Sequence, residues 1–157
     1  MLSIISLKQI WSDVTNLKFT PKKFGKVHIE IRFVRAENIH SDGKRGRLAR
    51  ARYPSSGGDI FFDDEEEIWT EEWRNTKFLP IFVRCAIHEI GHALGIRHSQ
   101  KPAAVMTPRS PSLYREVEKK LDIDDIRAIQ ALYGAPGLPR PQIEDMEEVD
   151  IETANLM

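Results

Sequence analysis

Cysteine is nearly absent: Cys85 stands alone among 157 residues, so no intrachain disulfide can form, and any site must be held by packing or by a metal. No apolar run approaches the roughly 20 residues that a helix needs to span a bilayer. The opening stretch Met1–Trp11 is broken by Lys8 and Gln9 and has no basic segment before it, so it does not read as a leader. An excess of one charge is missing too. With 23 Lys and Arg against 24 Asp and Glu, the formal net charge of −1 gives no footprint for nucleic acid. Internal repeats are also lacking. What is present is a globular composition, 41% hydrophobic and 30% charged, in a length suited to one domain with a proper core.

The chemistry concentrates in His88-Glu89-Ile90-Gly91-His92-Ala93-Leu94-Gly95-Ile96-Arg97-His98. On an α-helix, His88 and His92 stand one turn apart, about 6 Å along the axis, so both imidazoles leave one face and can grip one ion. Zinc takes neutral imidazole nitrogens in a near-tetrahedral arrangement, and three protein ligands leave a position open for water. A straight helix would carry His98 away. Gly95 can adopt positive φ cheaply, ending the helix and letting the chain double back so that His98 becomes the third ligand. Glu89 then sits beside the ion as the candidate general base. The competing reading, a C-cap glycine among surface histidines, leaves this joint spacing unexplained. Three imidazoles would also accept other divalent ions.

Apolar residues at Ile4, Leu7, Ile10, Val14 and Leu17 have the spacing of an amphipathic helix. Pro21 and Gly25 punctuate. Val27, Ile29, Ile31 and Phe33 then alternate with His28, Glu30 and Arg32 as in a half-buried strand, with His28 facing solvent. Asn38–Gly58 reads as loop with a short strand at Arg47–Tyr53, and Asp59–Phe62 as another strand. The acidic group from Asp63 to Glu67 is either solvated surface or part of a calcium site. From Pro80 to Leu94, Val83, Ala86, Ile87, Ile90 and Leu94 form a stripe opposite the histidines, so this helix buries one face and offers the other to a cleft. Arg84 is on the cleft side, and Cys85 reads as a small apolar filler rather than a fourth ligand. A last helix begins at Asp122 as N-cap, buries Ile123, Ile126, Ile129, Leu132 and Tyr133, and ends at Gly134. Residues 135–157, rich in Pro, Gly and acids, read as linker and disordered tail, leaving 1–134 as the domain.

Val105-Met106-Thr107-Pro108 resembles the Met-turn of metzincin peptidases, with Met106 as the floor beneath the ion. His98-Ser99-Gln100, Asp124-Asp125-Ile126 and Ile129–Gly134 narrow the resemblance to the matrix metalloproteinases. Trp11–Thr15, Gly57–Ile60 and Phe62–Glu65 are similar to motifs further upstream, so that it covers residues 4–134. The resemblance implies an α+β fold: a twisted mixed β-sheet, three α-helices and an active-site cleft bordered by an edge strand. Leu48 and Ala49 match the substrate-pairing strand, where an extended peptide would add as a further strand. Pro108 and Cys85 fall near the expected pocket. Arg84 would fill its floor, or reach solvent, and Ser110 stands where the family often has a tyrosine.

Departures from the family pattern carry their own expectations. Arg50 and Phe61 stand where histidines hold a second, structural zinc, and His40-Ser41-Asp42 offers too few ligands to replace it, so one zinc is expected. Calcium remains a candidate at Asp42, Asp63 and Glu66. The prodomain, the first sheet strand and the hemopexin-like domain have no counterpart in these residues. The resemblance implies a secreted, extracellular, monomeric zinc endopeptidase acting on matrix or secreted proteins. Zinc would bring its bound water into reach of deprotonation near neutral pH, and Glu89 would take the proton. The alternative is a non-catalytic binding or regulatory fragment, since thinner supports around the cleft would misplace a substrate.

Overall fold

In the computed structural model, which describes residues 4–22, 25–35, 48–64, 79–108, 120–138 and 148–153, the first apolar spacing becomes helix α1, Ile4–Ser12. It stops before Val14 because Thr15 turns its hydroxyl onto the Trp11 carbonyl at 2.9 Å and accepts the Leu17 N–H at 3.2 Å, a local alternative to further helix. Leu17 is buried all the same, from the loop that follows.

Among the described residues five short strands follow: β1 Lys18–Pro21, β2 Ile29–Val34, β3 Ala49–Ala51, β4 Ile60–Asp63 and, near the C-terminus, β5 Glu148–Thr153. They form one sheet in the order β1-β5-β2-β4-β3, with β3 antiparallel to β4 and every other pair parallel. In β2 the alternation holds, Ile29 and Ile31 being buried while Arg32 faces out in an ion pair with Glu30. Two strands differ from the sequence reading. β1 was not legible in a four-residue run ending in proline, and β5 falls inside the stretch read as linker and disordered tail.

Helices α2, Leu79–Ala93, and α3, Ile123–Tyr133, complete a set of three α-helices among the described residues, and with the mixed open sheet they make the expected α+β architecture. The α2 stripe of Val83, Ala86, Ile87, Ile90 and Leu94 is fully buried, against α1, β3 and β4. Phe62 of β4 joins sheet to helix, with ring centroids 5.3 Å from Phe33 and 5.4 Å from Phe82. Trp11, 0% exposed, donates its indole N–H to the Ile87 carbonyl at 3.1 Å and so fastens α1 to the middle of α2.

Asp122 caps α3 in a reciprocal box with Asp125, and Gly134 ends it. Ile123 corrects the expected stripe: it is 56% exposed. At 3.6 residues per turn it lies about 120° around the helix from the fully buried Ile129, outside the inward arc that Ile126, Leu132 and Tyr133 share.

Candidate metal centre

Helix α2 brings His88 and His92 onto one face with ring centroids 4.7 Å apart. Each Nδ1 lies 2.8 Å from a backbone carbonyl oxygen, that of Val105 for His88 and that of Ile96 for His92. A carbonyl can only accept, so both Nδ1 atoms carry the proton and both Nε2 atoms keep a free lone pair. His98 joins them, its Nε2 3.0 Å from that of His92, and one nitrogen from each of the three rings lies within 4.8 Å of the others. Zinc–nitrogen bonds of 2.0–2.1 Å in a tetrahedron place ligand nitrogens about 3.3 Å apart, so the three imidazole nitrogens of this cluster suit such an ion.

Gly95 makes the third ligand reachable. Its φ of +98° ends α2 in a Schellman turn, with the Gly95 N–H on the His92 carbonyl and the Ile96 N–H on the Gly91 carbonyl, both at 2.9 Å. This reversal aims the Ile96 carbonyl back at His92 Nδ1, so one glycine serves two ligands. Tyr133 adds a hydrogen bond from its hydroxyl to the Leu94 carbonyl at 2.8 Å.

Under the rings runs the segment Ala104–Met106, all three residues buried. Asp125, 1% exposed, holds it in place. Its carboxylate accepts the Val105 N–H at 2.8 Å, the Met106 N–H at 3.1 Å and the Asp122 N–H at 2.9 Å. The Ser99 N–H closes the other side by donating to the Met106 carbonyl at 2.9 Å, while the Ser99 hydroxyl donates to Asp124 at 2.5 Å. Val105 thus receives from Asp125 through its N–H and orients His88 through its carbonyl. In the sequence Asp125 stood out only as part of a family motif. Its partners in the turn, Val105 and Met106, lie 20 and 19 residues upstream, where no local signal points to them.

Burial sets the protonation states. Desolvation lowers the His88 pKa from 6.5 to about 4, against the pull of the Val105 bond and with help from His92, His98 and Arg84; His92 is lowered by burial as well. His88 and His92 are therefore neutral at physiological pH, the form a metal needs. Glu89 is buried at 8% exposure between the two helix ligands. One turn earlier, the Cys85 thiol is pushed well up, first by burial and then by the Glu89 charge, so it stays protonated.

Arg84 donates to the Ala104 carbonyl at 2.9 Å, and half-burial lowers its pKa against the opposing charge of Asp125. Ala49 is buried and pairs with Phe62, while the carbonyl of half-buried Leu48 accepts the Asp63 N–H at 3.0 Å. Asp63 is buried, and Pro108 is exposed. Asp42, Glu66 and Ser110 lie outside the described residues, as does His40. Phe61 faces Arg50 across the β3–β4 ladder and carries the Arg52 guanidinium over its ring at 5.2 Å. Tyr53, not singled out from sequence, sets its ring edge-on to His92 with centroids 5.5 Å apart.

A sequence profile of the matrixin peptidases matches residues 4–134. The macrophage metalloelastase of Rattus norvegicus is 42% identical over 133 residues, which cover 82% of this chain and 27% of that protein. The macrophage metalloelastase of Oryctolagus cuniculus is 41% identical over 143 residues, 85% of this chain and 28% of that protein. The interstitial collagenase of Oryctolagus cuniculus is 40% identical over 131 residues, 80% of this chain and 26% of that protein. The chain thus spans about a quarter of the length of these relatives.

Proposed function

The chain belongs to the matrixin family of zinc metallopeptidases, and from that premise we propose that it is itself a zinc-dependent endopeptidase that cleaves extended protein segments in water. The observation that carries this reading is the convergence of His88, His92 and His98, two of them with Nδ1 committed to backbone carbonyls. Those three side chains would hold one zinc. When bound, it supplies a Lewis acid that polarises the peptide carbonyl and makes water acidic enough to serve as nucleophile.

The chain's own residues do the rest. Glu89, held between the two helix ligands, takes the proton from water as its oxygen bonds to the carbonyl carbon. When the carbon–nitrogen bond breaks, Glu89 returns that proton to the amine that leaves. The atoms balance as one water added across one amide. The Val105 and Ile96 carbonyls keep His88 and His92 in the tautomer that presents Nε2, and Asp125 fixes the turn below. A substrate would lie in extended form along β3, at Leu48 and Ala49, where the sheet ends. Arg84, Cys85, Pro108 and Ser110 are assigned to its pocket, with Arg84 restricting the residue after the scissile bond to small or medium apolar types.

Names of the relatives, metalloelastase and collagenase, support extracellular matrix or secreted proteins as the substrate class and an extracellular setting. Among the described residues no helix is long and apolar enough to cross a membrane. One zinc per monomer, and calcium at Asp63 with Asp42 and Glu66, complete the proposal. The test is cleavage of an unstructured protein such as gelatin before and after chelation. Activity that disappears with chelator and returns with zinc supports the reading. A folded, zinc-loaded chain that cleaves nothing would point instead to a binding or regulatory unit.

A further inference from the structure

Strands β1 and β2 follow one another in the chain, yet β5 lies between them in the sheet and runs parallel to both. Lys18 to Pro21 pair with Glu148 to Ile151, and Ile29 to Ile31 pair with Ile151 to Thr153. Residues 148–153 are outside the 4–134 span of the family match, so a segment beyond the matched domain supplies an interior strand.

Both walls of this gap are held by contacts that do not involve β5. Strand β2 pairs with β4 from Ile31 to Val34. Strand β1 is adjoined by α1 and follows directly on buried Leu17. The tail is also brought to the gap. Asn16, two residues before β1, donates from Nδ2 to the Ala135 carbonyl at 3.0 Å and the Leu138 carbonyl at 2.9 Å, and its Oδ1 accepts the Gly137 N–H at 2.9 Å. Leu138 is therefore fixed beside the start of β1, where Glu148 pairs with Lys18, and the connection through 139–147 closes between neighbouring points at low entropic cost. The sequence Glu148-Val149-Asp150-Ile151-Glu152 alternates acidic with apolar residues before Thr153, and the register sets position 149 beside Phe19 and position 151 beside Ile29.

We propose that the gap between β1 and β2 is a strand-binding site, that residues 148–153 are its tethered occupant, and that an extended peptide of the same alternating acidic and apolar pattern binds there in parallel once the tail is displaced. Such a guest gains main-chain hydrogen bonds on both sides, where addition to a sheet edge gives one row only. The tether keeps the site filled because it raises the local concentration of the tail to about the millimolar range. No residue of the metal centre takes part, so this inference stands apart from the peptidase reading.

Two measurements on the full chain test it. Hydrogen exchange followed by mass spectrometry is expected to show the amides of 149–153 protected together with those of β1 and β2; exchange of the tail at the rate of an unstructured peptide overturns the proposal, whatever the variants do. A labelled peptide spanning Met146–Ala154 is then titrated against the wild type and against the Val149→Pro, Ile151→Pro double variant, with anisotropy as readout. Vacating the gap should tighten peptide binding by about tenfold or more, since the tethered competitor is gone. A double variant that retains wild-type near-ultraviolet circular dichroism but binds the peptide no better than wild type contradicts the proposal.

Discussion

The sulfur of Met106 lies so close against Gly91 that a Cβ on this glycine would overlap it. Gly91 stands on α2 between the ligands His88 and His92, so the turn that carries Met106 meets the ligand helix backbone to side chain, with no side chain between. Gly91→Ala is expected to push the two apart. Overpacking a closed core costs about 1–3 kcal/mol, to be read from denaturant unfolding, and zinc retention against a chelator should weaken with it. Wild-type stability and zinc affinity in that variant contradict the packing described.

Asp125→Ala removes the acceptor for three N–H groups, those of Val105, Met106 and Asp122. Leaving a buried donor unsatisfied costs about 1–3 kcal/mol, so the variant should lose at least about 3 kcal/mol by chemical denaturation. A loss under about 1 kcal/mol would mean that the carboxylate is dispensable to the turn.

The histidines predict a pH dependence of the metal-free protein. His88 has its pKa lowered from 6.5 to about 4, so the folded state disfavours its proton. This contribution to stability is full above pH 6.5 and is lost progressively as pH falls towards 4. A ring titration by NMR should place the His88 midpoint near 4. A midpoint close to 6.5 would show the ring to be solvated.

Arg84 bridges α2 to the Ala104 carbonyl, next to the turn that carries Met106. Cleavage profiling of Arg84→Ala is expected to show a shift towards larger apolar residues after the scissile bond. An unchanged profile removes Arg84 from the pocket.

Legibility followed the range of the interactions. The stripe of α2, the Gly95 reversal and the Asp122 cap with Gly134 rest on neighbours a few residues apart, and their residue types announce them. The ligand set was legible for the same reason, since His88, His92 and His98 are joined by one helix and one turn. Asp125 as the clamp of the turn, Trp11 on the Ile87 carbonyl and Gly91 beneath the methionine depend on segments that meet only in the folded chain. Parallel pairing is the extreme case. β5 joins β1 across some 130 residues of sequence, and its acidic composition masked a period of two.

Glu89 offers the most direct test of the central claim. A Glu89→Ala chain should bind zinc at one equivalent, as the three histidines remain, while peptide hydrolysis falls by about 10²-fold or more through loss of the general base. Zinc content and cleavage rate, measured on the same preparation, decide the matter. Cleavage at the wild-type rate with zinc bound, or wild-type protein that takes up no zinc, contradicts the account.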